Sequence, residues 1–170
     1  MTDSDALFTY RWGLAEETLD DAKKFYSSGG SPRSVVNRAY YAMFYAVLSL
    51  FIKTSTPAKT SKHSTVIGIF DTEFIKAGRL PRDLSRKLHS AFDDRQEFDY
   101  KDFVQIDIKD AEEILADAEF FYQQHQRISK QNHFIMVRTS QPRKLLNHPS
   151  LSLRQRHFRL LQNKRIPIPL

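Results

Sequence analysis

SPRSVVNRAYYAMFYAVLSLF, residues 31–51, is the longest apolar stretch with a helical pattern in this chain. Ser31 offers a side-chain oxygen as N-cap, and Pro32 suits the first helical position, where its missing N–H has no intrahelical partner to lose. Asn37, Arg38, Tyr40, Tyr41 and Tyr45 interrupt the apolar run. Two readings are open. The stretch is a central bundle helix whose polar groups are satisfied by neighbours, or it carries a cation and hydroxyls into a functional cleft.

Upstream, Leu7, Trp12, Leu14, Ala15, Leu19, Ala22, Phe25 and Tyr26 recur at spacings of three and four, the mark of an amphipathic helix from about Asp5 to Tyr26. Gly29 and Gly30 end it, because a left-handed residue closes a helix C-terminus. Downstream, the second helix runs to about Lys53, and TSTPAKTSK forms a loop. Val66, Ile67, Ile69, Phe70, Phe74 and Ile75 predict a third helix over about Lys62 to Ala77, closed by Gly78. Pro81 opens a fourth, with Leu84, Leu88, Ala91 and Phe92 on its apolar stripe, fading near Arg95 to Tyr100. DYKDFVQI then reads as an ordered connection. Asp107 opens a fifth helix, with Asp110 in the place where a capping box usually has Glu. Ile108, Ala111, Ile114, Leu115, Ala118, Phe121 and Tyr122 form its apolar face. Five helices, short connections and no convincing strand predict an all-α antiparallel up-and-down bundle over residues 1–126.

Residues 127–170 read differently. The formal net charge of +6 divides sharply at Glu119, the last acid: residues 1–119 hold 16 Lys/Arg and all 20 Asp/Glu, whereas residues 120–170 hold 10 Lys/Arg and no acid. The basic character therefore belongs to the C-terminal segment and says little about the main domain's ligands. Uncompensated charge and broken periodicity predict a poorly ordered extension, or an arm that neutralises RNA phosphates.

With no cysteine, disulfides and thiolate metal sites are excluded. The N-terminus does not read as a secretory signal, and Lys53 stops the best apolar run short of the roughly 20 residues that span a bilayer. These features predict a soluble, cytoplasmic protein with no membrane partner. There is no G-x-x-x-x-G-K-[ST], G-x-G-x-x-G or H-E-x-x-H motif, and His63 and His89 show no ligand spacing, so neither a metal nor a cofactor is expected.

What remains is a set of arginines and tyrosines. On a helix, Arg38, Tyr41 and Tyr45 share a face at i, i+3 and i+7. Arg95 lies five residues before Tyr100, at an expected helix end. Two arginines beside a proton-transfer group suit phosphodiester cleavage, since guanidinium supplies a fixed charge and planar donors matched to phosphate. The plain alternative for Arg95 is a salt bridge to Asp93, Asp94, Glu97 or Asp99.

SVVNRAYYAMFYAVLSL, SKHSTVIGIFDTEFIKAGRLP, AFDDRQEFDY and DIKDAEEILADAEFF, in this order over about Ala6 to Gln124, resemble the HEPN-domain family in its branch of small stand-alone bacterial and archaeal proteins. The resemblance implies a helical bundle that forms homodimers and, in many members, a metal-independent RNase that acts as the toxin of a toxin–antitoxin pair. The antitoxin it implies is a minimal nucleotidyltransferase. The family's signature is an Arg followed after four to six residues by His. Arg95 matches the first position, and Tyr100 stands where His is expected. A phenol near pKa 10 is a poor general base at neutral pH, unlike an imidazole near 6.5. Arg95, Tyr100 and Arg38 are therefore the catalytic candidates, and Arg38, Tyr41, Tyr45 and His63 the nucleotide- or RNA-binding ones. His63 can serve chemistry only if the fold brings it to Arg95. The alternative is a non-catalytic module that binds nucleotide, RNA or the nucleotidyltransferase, and Tyr100 or Tyr41 could also accept a nucleotidyl group from that enzyme.

Overall fold

The computed structural model describes residues 2–58, 60, 62–100 and 106–130, without the side chains of residues 99, 100, 129 and 130. The extension expected from residue 127 lies outside this range from residue 131 onward.

Among the described residues five α-helices follow one another: α1 (Asp3–Ser27), α2 (Pro32–Lys53), α3 (His63–Phe70), α4 (Arg82–Tyr100) and α5 (Ile108–Lys130). Among the described residues there is no strand, so the expected all-α bundle is what forms. Its centre is α2, which packs against α1, α3, α4 and α5. Twelve of its residues are buried, including Val35, Val36, Tyr40, Met43, Phe44, Val47 and Phe51. By length and composition α2 is long and apolar enough to cross a membrane, at 22 residues and a mean hydropathy of 1.4, contrary to the expectation that Lys53 cuts the run short. Two-thirds of that apolar window is buried inside the bundle, so here its apolarity serves a protein core.

The helix ends repeat the logic of the sequence with two corrections. Gly29, at φ +70°, closes α1, and a Cβ on Gly30 would stand 2.8 Å from the Phe25 carbonyl oxygen, so this turn requires glycine. Pro32 occupies the first turn of α2, but the Ser31 hydroxyl makes no capping bond. The Ser31 carbonyl instead accepts from the N–H groups of Ser34 and Val35. At α1 the start comes earlier than expected, because Thr2 and Asp5 form a reciprocal capping box: Asp5 N–H donates to Thr2 Oγ1 (3.2 Å) and Thr2 N–H to Asp5 Oδ2 (3.0 Å). Ahead of α5, the backbone N–H of Asp107 donates to Asp110 Oδ2 (3.2 Å), so Asp replaces Glu in that half of the box.

The expected third helix is two elements. α3 passes at Asp71 into a π-helical turn, Asp71–Lys76, before Gly78 closes it at φ +68°. The carboxylate of Asp71 then accepts from Ser85 Oγ (2.6 Å) and lies 2.8 Å from His89 Nε2, which ties the turn to α4. α4 does not fade near Arg95 but continues to Tyr100. Its buried row is Leu84, Leu88, Ala91 and Phe98, with intervals of four, three and seven. Arg95 fills the gap in that row, so a cation stands on the apolar stripe. α5 likewise runs past residue 126, and its buried row of Ala111, Ile114, Ala118 and Phe121 ends on His125.

Candidate functional site

Because Arg95 interrupts an apolar row, its side chain is directed at the bundle and meets aromatic faces of α2. The guanidinium carbon lies 5.9 Å from the Tyr40 ring centroid and 5.4 Å from that of Tyr41. Such contacts are worth roughly 0.5–2 kcal/mol each, rising as water is excluded. Tyr40 is fully buried, and its hydroxyl reaches across to α3, where it lies 2.7 Å from His63 Nδ1. His63, the first residue of α3, also stacks on Phe44 at 4.2 Å and 21°, and meets Tyr41 edge-on at 5.6 Å. Two helices and one helix start therefore bring Arg95, Tyr40, Tyr41 and His63 to one corner.

The electrostatics follow from this packing. Burial pushes the Tyr40 phenol well above its ordinary 10, although the Arg95 charge pulls the other way, so the hydroxyl keeps its proton. Burial first, and the Arg95 charge second, push the His63 imidazole below its ordinary 6.5. At neutral pH His63 is uncharged and can accept a proton, and its conjugate acid, beside a guanidinium, gives that proton up readily.

His63 and Tyr41 also line a cavity of about 720 Å³ between the N-terminal half of α1, the C-terminal half of α2 and the connection that precedes α3. Tyr45 lines it too, with its ring 5.8 Å from that of Tyr41. Arg38 does not join them. It is exposed and lines a separate depression of about 260 Å³ with Phe25, Arg33, Ser34 and Asn37. Helical side chains lean toward the N-terminus, so sharing a face with Tyr41 still sends Arg38 back over Ser34, one turn earlier. The Tyr100 side chain lies outside the described residues. Tyr40, which carried no site expectation, is the residue that links Arg95 to His63. Its signal was available in the sequence, as a tyrosine four residues before Phe44 on the most apolar face of the chain.

A second histidine is held in a similar way deeper in the bundle. His125 Nε2 lies 3.0 Å from the buried Ser49 hydroxyl, which itself donates to the Ala46 carbonyl (2.8 Å). With its only proton committed there, Ser49 accepts from His125 Nε2–H. Trp12 stacks on the imidazole at 4.5 Å and on Tyr122 at 4.4 Å. Burial pulls the imidazole down to about 4. At 3% exposure it is sealed from any substrate.

A family model described as HEPN domain matches residues 10–128. The chain belongs to the HEPN family. Among its HEPN relatives, a UPF0332 protein of Thermotoga maritima is 32% identical over 121 residues, 71% of this chain and 89% of that protein. A UPF0332 protein of Archaeoglobus fulgidus is 33% identical over 118 residues, 69% of this chain and 91% of that protein. A Methanocaldococcus jannaschii protein that bears the name "Putative toxin MJ0142" is 34% identical over 107 residues, 63% of this chain and 71% of that protein. The HEPN match ends at residue 128, so the segment richest in uncompensated Lys and Arg falls almost wholly beyond it.

Proposed function

We propose that this HEPN protein is the toxin-like member of a toxin–antitoxin module and cleaves RNA without a metal, using Arg95 and His63. The observation that carries this reading is the 2.7 Å pairing of His63 Nδ1 with the Tyr40 hydroxyl in a corner where Arg95 lies over the Tyr40 and Tyr41 rings. His63 supplies the imidazole that the sequence lacks at Tyr100. In the step we infer, the RNA 2′-hydroxyl gives its proton to the neutral imidazole and its oxygen attacks the adjacent phosphorus. The bond from phosphorus to the 5′-oxygen breaks, leaving a 2′,3′-cyclic phosphate. The departing 5′-oxygen takes a proton from the imidazolium, which restores His63. Arg95 offsets the charge that develops on the non-bridging oxygens. Tyr40 holds the ring in place through its hydroxyl.

The family resemblance supports a cytoplasmic homodimer kept in check by a minimal nucleotidyltransferase antitoxin, and the name of the M. jannaschii relative supports the toxin role. We keep residues 1–126 as the catalytic bundle and assign to the basic extension the holding of RNA phosphates. A non-catalytic binding module is the second reading, favoured by the depression where Arg33 and Arg38 lie together away from the corner. Cleavage of a labelled single-stranded RNA in excess chelator tests the two. Arg95→Ala and His63→Ala should each lower the rate by about a hundredfold or more. Undiminished cleavage by His63→Ala would remove His63 from the chemistry, and no cleavage by the intact protein would leave the binding module.

A further inference from the structure

We infer that the cavity beside the Arg95 corner is a nucleobase subsite, which takes the unpaired nucleotide next to the scissile phosphate. The inference rests on the RNA-cleaving reading above. The cavity is continuous with the corner, because Tyr41, Phe44 and His63 belong to both. At about 720 Å³ it falls within the roughly 300–1,000 Å³ typical of small-molecule sites. Its lining suits a planar ring that carries an anion. Tyr41 and Tyr45 present neighbouring aromatic rings, tilted by 35°, and Leu48 and Ile52 add apolar wall. Among the described lining residues Arg11 of α1 is the one cation, and none is Asp or Glu. Among the described residues Arg11 forms no ion pair, and its guanidinium rests over the Tyr10 ring at 5.8 Å. Ser55, Thr56 and Thr60, in the connection that precedes α3, also line it. Aromatic faces with a cation and no acid are the combination that holds single-stranded nucleic acid, through base stacking and phosphate neutralisation. An apolar peptide would have no use for Arg11.

The arrangement also explains why the catalytic corner lies at one end of the cavity. A base seated against Tyr41 and Tyr45 places its own ribose and 3′-phosphate toward His63, where the 2′-hydroxyl must find the imidazole. The substrate class is therefore unpaired RNA, because a base in a duplex cannot enter.

The test uses the full chain and a short single-stranded RNA whose 2′-hydroxyls are replaced by hydrogen, so that binding is read without cleavage. Fluorescence anisotropy with this probe should show about tenfold weaker binding for Tyr45→Ala, restored by Tyr45→Phe, because the ring and not the hydroxyl carries the stacking. Arg11→Gln should weaken binding and lower the slope of log affinity against log salt by about one. In cleavage of the all-ribose strand both variants should raise KM more than they lower kcat, and a matched duplex should be a poor substrate. Unchanged binding and KM in Tyr45→Ala and Arg11→Gln, alongside normal cleavage, would overturn the subsite and leave the RNase reading standing. Loss with Tyr45→Ala but none with Arg11→Gln would overturn phosphate neutralisation by Arg11 and leave base stacking on Tyr45 standing. Absent cleavage with binding still dependent on Tyr45 and Arg11 would remove the RNase reading and keep the subsite.

Discussion

Among the described residues two histidines, His63 and His125, sit inside the bundle, built alike but placed differently. Each meets a hydroxyl on α2, Tyr40 for one and Ser49 for the other, and each lies against an aromatic ring, Phe44 or Trp12. Burial lowers both imidazoles. What separates them is access and a neighbouring charge. His63 is half-buried, lines a cavity and lies in the field of Arg95. His125 is sealed at 3% exposure, and no charged group contributes to its shift. A histidine–hydroxyl pair is therefore not in itself a reactive device. In the function proposed above it acts as one where solvent and a cation reach it, and elsewhere it is a packed polar contact.

Three measurements sharpen that contrast. The largest effect is expected from His125→Ala. Removing a sealed ring from between Trp12 and Ser49 should cost about 3 kcal/mol in urea unfolding, while the cleavage rate per folded molecule stays unchanged. A loss of cleavage without a loss of stability would reverse the roles assigned to the two histidines.

Next comes acid sensitivity. The unfolded chain protonates His125 near 6.5, whereas the folded chain resists until about 4. Its contribution is therefore fully present above pH 6.5 and is lost as pH falls from there toward 4, by about 3 kcal/mol at 1.36 kcal/mol per unit. His63, also lowered, adds in the same direction. His125→Asn should flatten the fall in Tm across that window, and an unaltered slope would show that the ring is not the sensor.

The smallest effect should come from Tyr40→Phe, which keeps the ring against Arg95 and deletes only the hydroxyl that meets His63. Stability should fall by about 1 kcal/mol. Cleavage should fall by about tenfold, with the His63 titration displaced in NMR. A variant with wild-type rate would show that Tyr40 does not orient the imidazole.

Much of this was legible beforehand. Pro32 and Gly29 mark the hairpin between α1 and α2, and their backbone requirements act within a few residues, so no tertiary knowledge is needed to read them. The Thr2–Asp5 capping box was equally local and legible by the same pattern as Asp107 and Asp110, with Asp in the place of Glu. Arg95 and His125 could have been recognised as polar members of apolar rows, Arg95 completing the spacing of Leu84, Leu88, Ala91 and Phe98, and His125 following Phe121 by four. Expecting α4 to fade at Arg95 concealed the first, because a frayed end has no inward face. The π-helical turn at Asp71 could not be read, since its widened backbone is held by contacts with Ser85 and His89 fourteen and eighteen residues away.

By itself, the sequence determined an all-α bundle centred on residues 32–53, its helix stops and its resemblance to the HEPN family, because hydrophobic periodicity and backbone preference are properties of short windows. Only the tertiary structure decided that His63 stands with Arg95 through Tyr40 while Arg38 turns away. Tyr40 precedes His63 by 23 residues and Arg95 by 55, and the pairing exists because α2, α3 and α4 bury their apolar faces together. Spacing along one helix could not supply it.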